Sequence, residues 1–192
     1  MRIERALTNV ETLGPGRRLA IWVNGCKRRC PGCVSKRLQL ANIATEFPIE
    51  EYFAGFDFSK VDGVTISGGE PFEQIAELSK LVCYLKKAKI EDILVYTGYQ
   101  LSELQAMQNP DVDTILENIA VLIDGPYILE LDDQKHNLKG SSNQEIHYLL
   151  PKYQTKYQEY IKTTRKMQEF EIVNILIGVG IPDELYIKNF NK

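Results

Sequence analysis

Short apolar runs recur along the first 150 residues, and turn-forming or polar residues separate them. Each run is four to six residues long and contains β-branched side chains, a combination that predicts buried strands. The predicted strands are Leu19–Asn24, Val64–Ser67, Ile93–Tyr96, Ile119–Ile123 and Ile146–Leu150. Residues 1–16 contain no comparable run, so we predict an irregular lead-in there.

Segments with a helical period lie between these strands. In Glu73–Ala88, apolar side chains recur every three or four residues, which predicts a helix with one buried face. A shorter helix is predicted from Ser102 to Met107, ended by Asn109–Pro110. Another helix is predicted to begin within Pro48–Phe56, and Val34–Ala44 is predicted to be loop or a short helix. Strands that alternate with helices predict an α/β fold with parallel strands, whose carboxyl-end loops carry the chemistry.

The last part of the chain has a different pattern. Tyr153–Phe170 is polar and charged and is predicted to be helical, whereas Glu171–Ile181 is apolar and predicts a small terminal strand. We therefore expect one domain over residues 1–150, with residues 151–192 forming a C-terminal extension packed on that domain.

Composition narrows the class of protein. The 192 residues suffice for one domain with a sizeable core, and 44% hydrophobic with 26% charged residues is ordinary for a globular protein. No apolar run approaches the roughly 18 residues needed to span a membrane, and no signal peptide is recognisable. The four cysteines do not form the framework of a secreted disulfide protein. We therefore expect a cytoplasmic protein with no membrane partner.

Charge is distributed unevenly, although the net charge is only −3. Between Thr12 and Arg37 there is no Asp or Glu, while seven Lys and Arg residues occur there. They are Arg17, Arg18, Lys27, Arg28, Arg29, Lys36 and Arg37. Trp22 is the only aromatic residue among them, so a nucleic-acid interface is not indicated. A solvated basic face is one interpretation; the other is a segment that favours a reduced anionic centre and attracts an acidic electron donor.

Three of the four cysteines are spaced C-x3-C-x2-C, at Cys26, Cys30 and Cys33. Thiolates are soft metal ligands, and three within eight residues can converge on one centre. A structural zinc site needs four protein ligands, but Cys83 is distant and falls inside a predicted helix. Three local ligands without a fourth therefore predict an iron–sulfur cluster with one iron left open.

Three simpler interpretations stay open for these cysteines, namely buried core residues, a disulfide pair and a zinc knuckle. The sequence argues against the first of them, because Lys27, Arg28 and Arg29 lie between the cysteines.

The cysteine spacing, together with the glycine-rich stretch Ser67–Pro71, resembles the radical S-adenosylmethionine (SAM) enzymes. Further stretches narrow the resemblance to the activating enzymes of anaerobic (class III) ribonucleotide reductase. They are Gly14–Arg17, Gly25–Cys26, Cys30–Cys33, Thr97–Tyr99, Leu122–Gly125 and Gly140–Gln144. The matches run in order from about residue 10 to 150, and residues 151–192 depart from the short members of the family.

The resemblance implies an incomplete β/α barrel and a [4Fe-4S] cluster on Cys26, Cys30 and Cys33, which would thereby be the catalytic residues. In the family, a low-potential donor such as flavodoxin or ferredoxin supplies an electron, and SAM is cleaved to methionine and a 5′-deoxyadenosyl radical. That radical takes a hydrogen from a glycine of the large partner, anaerobic ribonucleoside-triphosphate reductase, and leaves a stored glycyl radical.

The resemblance also implies a set of SAM-binding residues along the carboxyl ends of the predicted strands. They are Gly32, Val34, Gly68, Gly69, Glu70, Thr97 and Asp124. Gly68 and Gly69 have no side chain that would obstruct a ligand, and Glu70 offers a carboxylate. The family has an aromatic–amide pair after the third cysteine, where this sequence has Val34–Ser35. The role of Gly140–Gln144 is left open.

Two other functions compatible with the sequence are retained. The same cofactor chemistry on a different glycyl radical enzyme, or on a peptide, is suggested by the extension and by Val34–Ser35. A non-catalytic iron–sulfur electron carrier is the alternative from another class, and Ser67–Pro71 argues against it, because a carrier needs no SAM pocket.

Overall fold

A computed structural model of the chain describes residues 1–183 and Tyr186. Six strands form one sheet in chain order: β1 (Ile3–Val10), β2 (Arg18–Val23), β3 (Gly63–Gly68), β4 (Ile93–Tyr96), β5 (Val121–Asp124) and β6 (Glu145–Tyr148). Strands β2 to β5 are parallel, and the two outer strands run antiparallel to their neighbours. The predicted α/β class is confirmed. Within the described residues β1 and β6 do not pair, so the sheet does not close into a barrel.

The α-helices that accompany these strands in the described ranges are α1 (Ile49–Tyr52), α2 (Ile75–Lys87), α3 (Leu101–Ala106), α4 (Pro110–Asn118) and α5 (Gln154–Ile161). The predicted periodicity of α2 is confirmed, since its apolar face is buried and Cys83 is half-buried on its flank. Short 3-10 helices at Lys36–Leu38 and Ile43–Thr45 agree with the loop or short helix predicted there. None of the helices in the described part of the chain is long and apolar enough to cross a membrane.

The irregular lead-in predicted for residues 1–16 is wrong, because Ile3–Val10 forms β1. This edge strand is interrupted twice, with register shifts between Ile3 and Arg5 and between Leu7 and Val10. Each irregularity shifts the alternation of side chains, so the strand presents no apolar run in the sequence.

Helix α4 also differs from the prediction. Asn109–Pro110 was expected to end a helix, and it does so, but the same pair begins the next one. The Asn109 side chain accepts a hydrogen bond from the Asp111 N–H at 2.9 Å, and Pro110 occupies the first helical position, where its missing N–H costs nothing.

The C-terminal part contains α5 and a two-stranded hairpin of β7 (Met167–Ile172) and β8 (Ile175–Gly180). The helix predicted for Tyr153–Phe170 is therefore too long, whereas the terminal strand predicted within Glu171–Ile181 is confirmed. Residues 184, 185 and 187–192 of the predicted extension lie outside the described residues.

A buried ionic network joins α5 to the amino ends of the parallel strands. The guanidinium of Arg18 is wholly buried, and its Nη2 lies 3.2 Å from Oδ1 of Asp92. Tyr157 on α5 donates a hydrogen bond to the same carboxylate at 2.6 Å, and Lys156 contacts its other oxygen at 2.8 Å. The extension is therefore tied to the sheet through Asp92.

Replacing Asp92 by asparagine is expected to lower the free energy of unfolding by about 3–5 kcal/mol, because the buried Arg18 loses its counter-ion. Burial raises the pKa of Asp92, but Arg18, Lys156 and Tyr157 outweigh it and hold the pKa below its ordinary value. The stabilisation is thus complete above the unfolded-state pKa of about 4 and declines as pH falls through the lowered native value.

Urea unfolding across a pH series measures both effects. Glu91→Gln is the matched control, since Glu91 precedes Asp92 and forms an exposed ion pair with Lys152. Equal stability of the two variants at pH 7, or a difference from wild type that grows as the pH is lowered, would contradict this account of Asp92.

Candidate metal centre

Residues 24–33, here called the cluster loop, leave the carboxyl end of β2 and carry the three closely spaced cysteines. Backbone hydrogen bonds hold the start of the loop against the segment that follows it. The Gly25 N–H donates to the Leu38 carbonyl at 2.8 Å, and the Cys26 N–H donates to the Gln39 carbonyl at 2.9 Å. The loop is therefore closed at its base, which holds Cys26 in place.

Asn24, which the sequence analysis did not identify as a site residue, stabilises the start of the cluster loop. Its side chain is buried, and its Nδ2 donates to Glu4 at 3.1 Å and to Thr45 at 2.5 Å. Its Oδ1 accepts from the Asn42 N–H at 3.0 Å. An asparagine directly after an apolar strand was the available signal, but the sequence does not reveal its partners.

All four cysteines of the chain are free thiols, and each is half-buried. Burial raises the pKa of the Cys26 thiol, while hydrogen bonds from the backbone N–H groups of Arg28 and Arg29 lower it. Cys33 donates its N–H to the Cys30 carbonyl at 3.3 Å, which places these two in one turn. The structure thus gives no support to a disulfide between the loop cysteines.

Two features of the loop bear on the kind of metal centre that it can hold. In the described part of the chain, no three Cys, His, Asp or Glu side chains are grouped tightly enough for one metal ion. Zinc draws its four ligands to within about 2.3 Å of one point, whereas the thiolates of an iron–sulfur cluster bind separate irons and stay further apart.

The second feature is the Nε of Arg28, a buried donor in the loop that has no hydrogen-bond partner among the described residues. Buried N–H groups are nearly always paired, so an unpaired one on the loop that carries three thiols fits an anionic group at this place. The donor set and this unpaired N–H therefore fit a thiolate-bound iron–sulfur cluster.

The glycine-rich end of β3 packs directly on the cluster loop. A Cβ on Gly69 would lie 2.4 Å from the Gly25 carbonyl oxygen, and one on Gly68 would lie 2.4 Å from that of Val23. Gly68 also has a φ of +111°, which disfavours other residues. Backbone packing thus requires both glycines, and their predicted contact with SAM stays a prediction.

Glu70 and Thr97, predicted from two different strand ends, contact each other. The Glu70 carboxylate is buried and accepts hydrogen bonds from the Thr97 hydroxyl at 2.8 Å, the Gly98 N–H at 2.7 Å and the Phe72 N–H at 3.0 Å. Burial raises the pKa of Glu70, and these donors lower it. Glu70 therefore connects the loops that follow β3 and β4.

Asp124 at the end of β5 is buried, and its Oδ2 accepts a hydrogen bond from the Leu101 N–H at 2.6 Å. His147 on β6 brings its Nε2 to 2.9 Å from the same oxygen, off the line of a hydrogen bond. The carboxylate thus fixes the start of α3 relative to β5.

The late motif Gly140–Gln144 lies beside the loop after β5. The Gln144 side chain donates to the Gly125 carbonyl at 3.0 Å and accepts from the Gly140 N–H at 2.8 Å. Asn143 donates to the Pro126 carbonyl at 2.8 Å. These contacts give the motif a structural role that the sequence had left open.

Gly32 and Val34 lie at the exposed rim of the site. Val34 is 64% exposed, and a Cβ on Gly32 would lie 3.0 Å from Leu129 in the loop after β5. The structure thus brings Gly68, Gly69, Glu70 and Thr97 together in the inner part of the site. Gly32 and Val34 are not part of that group and lie at its exposed edge.

Comparison with known proteins agrees with this geometry. The 4Fe-4S single cluster domain family matches residues 12–147, which include the cluster loop and strands β2 to β5. The anaerobic ribonucleoside-triphosphate reductase-activating protein of Escherichia coli (strain K12) is 36% identical over 145 residues, 71% of this chain and 91% of the relative. Its namesake from Salmonella typhimurium is 35% identical over 144 residues, covering 71% and 91%.

A phage protein of the same name is also similar. The relative from Enterobacteria phage T4 is 30% identical over 139 residues, 69% of this chain and 85% of the phage protein. The resemblance to the activating enzymes of anaerobic ribonucleotide reductase, inferred from the motifs that run in order from about residue 10 to 150, is confirmed. The chain belongs to the 4Fe-4S single cluster domain family and, within it, to the anaerobic ribonucleoside-triphosphate reductase-activating proteins.

Proposed function

We propose that this protein is a radical SAM activase that installs a glycyl radical on anaerobic ribonucleoside-triphosphate reductase. Cys26, Cys30 and Cys33 would hold a [4Fe-4S] cluster, which supplies a low-potential electron for the reductive cleavage of SAM. The observation that carries the proposal is the junction of the cluster loop with the glycine-rich stretch, where the Glu70 N–H donates to the Gly25 carbonyl at 2.8 Å. An electron carrier has no need of this junction.

The predicted SAM-binding residues lie at the carboxyl ends of three successive parallel strands. Gly68 ends β3 and Gly69 follows it, Thr97 follows β4, and Asp124 ends β5. Ligands of open parallel sheets bind at this edge. We assign Glu70 the task of fixing Thr97 and Gly98, Asp124 that of polar contact with SAM, and Gly32 and Val34 backbone contact from the exposed rim.

The charge around the cluster loop suits electron delivery. Lys27 and Arg29 are exposed, and no acidic residue occurs between Thr12 and Arg37. Cations at the surface raise the encounter rate with an acidic protein, and cations near the cluster favour its reduced form. We infer that flavodoxin or ferredoxin is the electron donor and that the protein acts in the reducing cytoplasm.

The open sheet suits a large substrate. Within the described residues the outer strands β1 and β6 do not pair with each other. We interpret this arrangement as an incomplete β/α barrel whose open side admits a loop of the partner protein. The partner named by the relatives is anaerobic ribonucleoside-triphosphate reductase, and we extend that partner to this chain.

The test is to mix the reconstituted protein anaerobically with its cognate reductase, SAM and a low-potential reductant. Electron paramagnetic resonance (EPR) should show the doublet of a glycyl radical on the reductase, absent without SAM and absent with Cys30→Ala. If SAM is cleaved but the reductase acquires no radical, another glycyl radical enzyme or a peptide is the substrate. A fully loaded cluster that never cleaves SAM would support the electron carrier instead.

A further inference from the structure

Arg28 is the one cation of the cluster loop whose side chain turns inward onto the neighbouring loop. Its guanidinium carbon lies 4.2 Å from the centroid of the Tyr99 ring, a cation–π distance. Its Nη2 forms an ion pair with Glu103 on α3 at 3.2 Å. Arg28 therefore crosses from the cluster loop to the segment that joins β4 to α3.

Gly98 makes this crossing possible. A Cβ at that position would lie 2.5 Å from Cδ of Arg28 and 3.4 Å from Oε2 of Glu70. The arginine stem thus packs over the peptide that Glu70 holds by its hydrogen bond to the Gly98 N–H. Contacts on several sides fix the orientation of the guanidinium before any ligand binds.

One donor of this ordered guanidinium is unused. The Nε atom is buried and has no hydrogen-bond partner among the described residues, whereas Nη2 is paired with Glu103. Arg28 lies between Cys26 and Cys30 in the chain, and its own backbone N–H is hydrogen-bonded to the Cys26 thiol. A buried unpaired N–H calls for an acceptor, and the sulfur atoms of an anionic cluster held by the same loop are acceptors.

We propose that Arg28 is a positioning residue that locks the cluster loop onto the Thr97–Tyr99 segment and favours the reduced form of the cluster. This inference rests on the cluster-binding part of the proposed function and is independent of SAM cleavage and of the partner protein. Reduction adds negative charge to a group that is already anionic, so a fixed cation and an N–H donor beside it raise the reduction potential. Glu103 opposes this effect, because its carboxylate partly neutralises Arg28.

Substitutions of Arg28 and of Glu103 are therefore expected to shift the reduction potential of the cluster in opposite directions. Arg28→Gln should move the reduction potential to a more negative value, and Glu103→Gln should move it to a less negative value. Glutamine at position 103 still suits the capping box in which Glu103 takes part. Arg29→Gln is the matched control, because it removes the same charge from the exposed adjacent residue, where solvent screens it.

The rate of iron release distinguishes the structural effect of Arg28 on the cluster loop from the effect of its charge. Release of iron from the loaded protein to a chelator should be about tenfold faster in Arg28→Gln, as expected when a charged contact is lost. Arg28→Lys keeps the charge but lacks the planar fork that pairs with Glu103 and stacks on Tyr99. The reduction potential of Arg28→Lys should therefore lie close to that of the wild type, while its iron release stays as fast as in Arg28→Gln.

The experiment is an EPR-monitored redox titration of the reconstituted wild type and the four variants, with iron release measured on the same samples. The inference is overturned if Arg28→Gln matches Arg29→Gln in both potential and release rate. Should Arg28→Gln fail to fold, Glu103→Gln decides alone, since an unchanged or more negative potential in that variant also overturns it. A wild-type protein that binds no iron–sulfur cluster would instead refute the proposed function, and this inference with it.

Discussion

Replacing Cys26, Cys30 or Cys33 by alanine is expected to abolish the iron–sulfur cluster, whichever of the three is changed. Each thiolate would hold a different iron, and the cluster loop contains no further cysteine that could replace a lost ligand. Anaerobic reconstitution of the wild type should yield about four iron and four sulfide per chain, the content of one [4Fe-4S] cluster. Each variant should retain close to none, and reductive SAM cleavage should disappear with the cluster.

Cys83→Ala is the matched control for these variants. Cys83 is also a free, half-buried thiol, but it lies on α2 and outside the cluster loop. Its replacement should leave iron content and SAM cleavage unchanged. Zinc in place of iron in the wild type, or loss of the cluster in Cys83→Ala, would contradict the assignment of the three ligands.

The central strands could be predicted because their sequence carries a strong physical signal. Strands β3, β4 and β5 are parallel and largely buried, so they appear as short runs of mainly apolar and β-branched residues. Helix α2 could be predicted equally well, because one buried face gives its 13 residues a clear helical periodicity. Burial thus leaves a pattern that can be recognised without knowledge of the partners.

The elements that escaped prediction lack such a pattern. Strand β1 is irregular at two places, and strand β7 alternates partly buried with exposed residues within a polar segment. The start of α4 depends on Asn109, whose capping role is decided by local geometry. In each case the stabilising contacts are made at a few positions, and composition alone does not identify them.

In the candidate site, too, some features could be predicted from the sequence and others could not. The spacing of the cysteines identified them in the sequence, and the family resemblance implied the glycines, Glu70 and Thr97, each of which lies at the end of a predicted strand or just after one. The connections between them could not, since the hydrogen bond from Thr97 to Glu70 joins residues 27 positions apart and the Arg28–Glu103 pair spans 75 positions. Side-chain pairing across loops is a property of the fold, and it is the part of the site that the structure adds.

A docking role for residues 151–192 needs a test that leaves the sheet intact. Deleting residues 153–192 would separate a docking role from catalysis only if the remainder of the domain were unaffected. Tyr157 is fully buried and hydrogen-bonded to Asp92, so the deletion would open the core and expose the Arg18 network. Substitutions at the exposed tip of the hairpin, such as Val173→Ser, are the better probe of docking, because Val173 is 87% exposed.

Replacing Gly69 by valine is expected to have the largest effect outside the three cysteines. The absence of a side chain at Gly69 suggests that an added one would obstruct SAM, and on that ground alone the cluster would still assemble. The structure alters that expectation, because the added Cβ would meet the Gly25 carbonyl oxygen at 2.4 Å and that of Leu38 at 2.9 Å. Both are backbone atoms, which cannot turn aside as a flexible side chain can.

Retreat of the strand end would break the hydrogen bonds that hold it to the loop. The Gly69 N–H donates to the Val23 carbonyl at 2.7 Å, and the Glu70 N–H donates to the Gly25 carbonyl at 2.8 Å. Overpacking of this kind costs about 1–3 kcal/mol or more, and here the clash is with Gly25, the residue directly before Cys26. Gly69→Val should therefore bind less iron as well as lose SAM affinity.

Gly55→Val provides the comparison, because no atom lies within 4 Å of the Cβ that it would add. Gly55 has a φ of +74°, so valine there is strained in the backbone without displacing a neighbour. Chemical denaturation, iron content and equilibrium SAM binding at equal cluster loading distinguish the two variants. The expected result is a less stable Gly55→Val with full iron content and unchanged SAM affinity, beside a Gly69→Val impaired in all three. Full cluster content with undiminished SAM affinity in Gly69→Val would show that the end of β3 neither supports the cluster loop nor borders the SAM pocket.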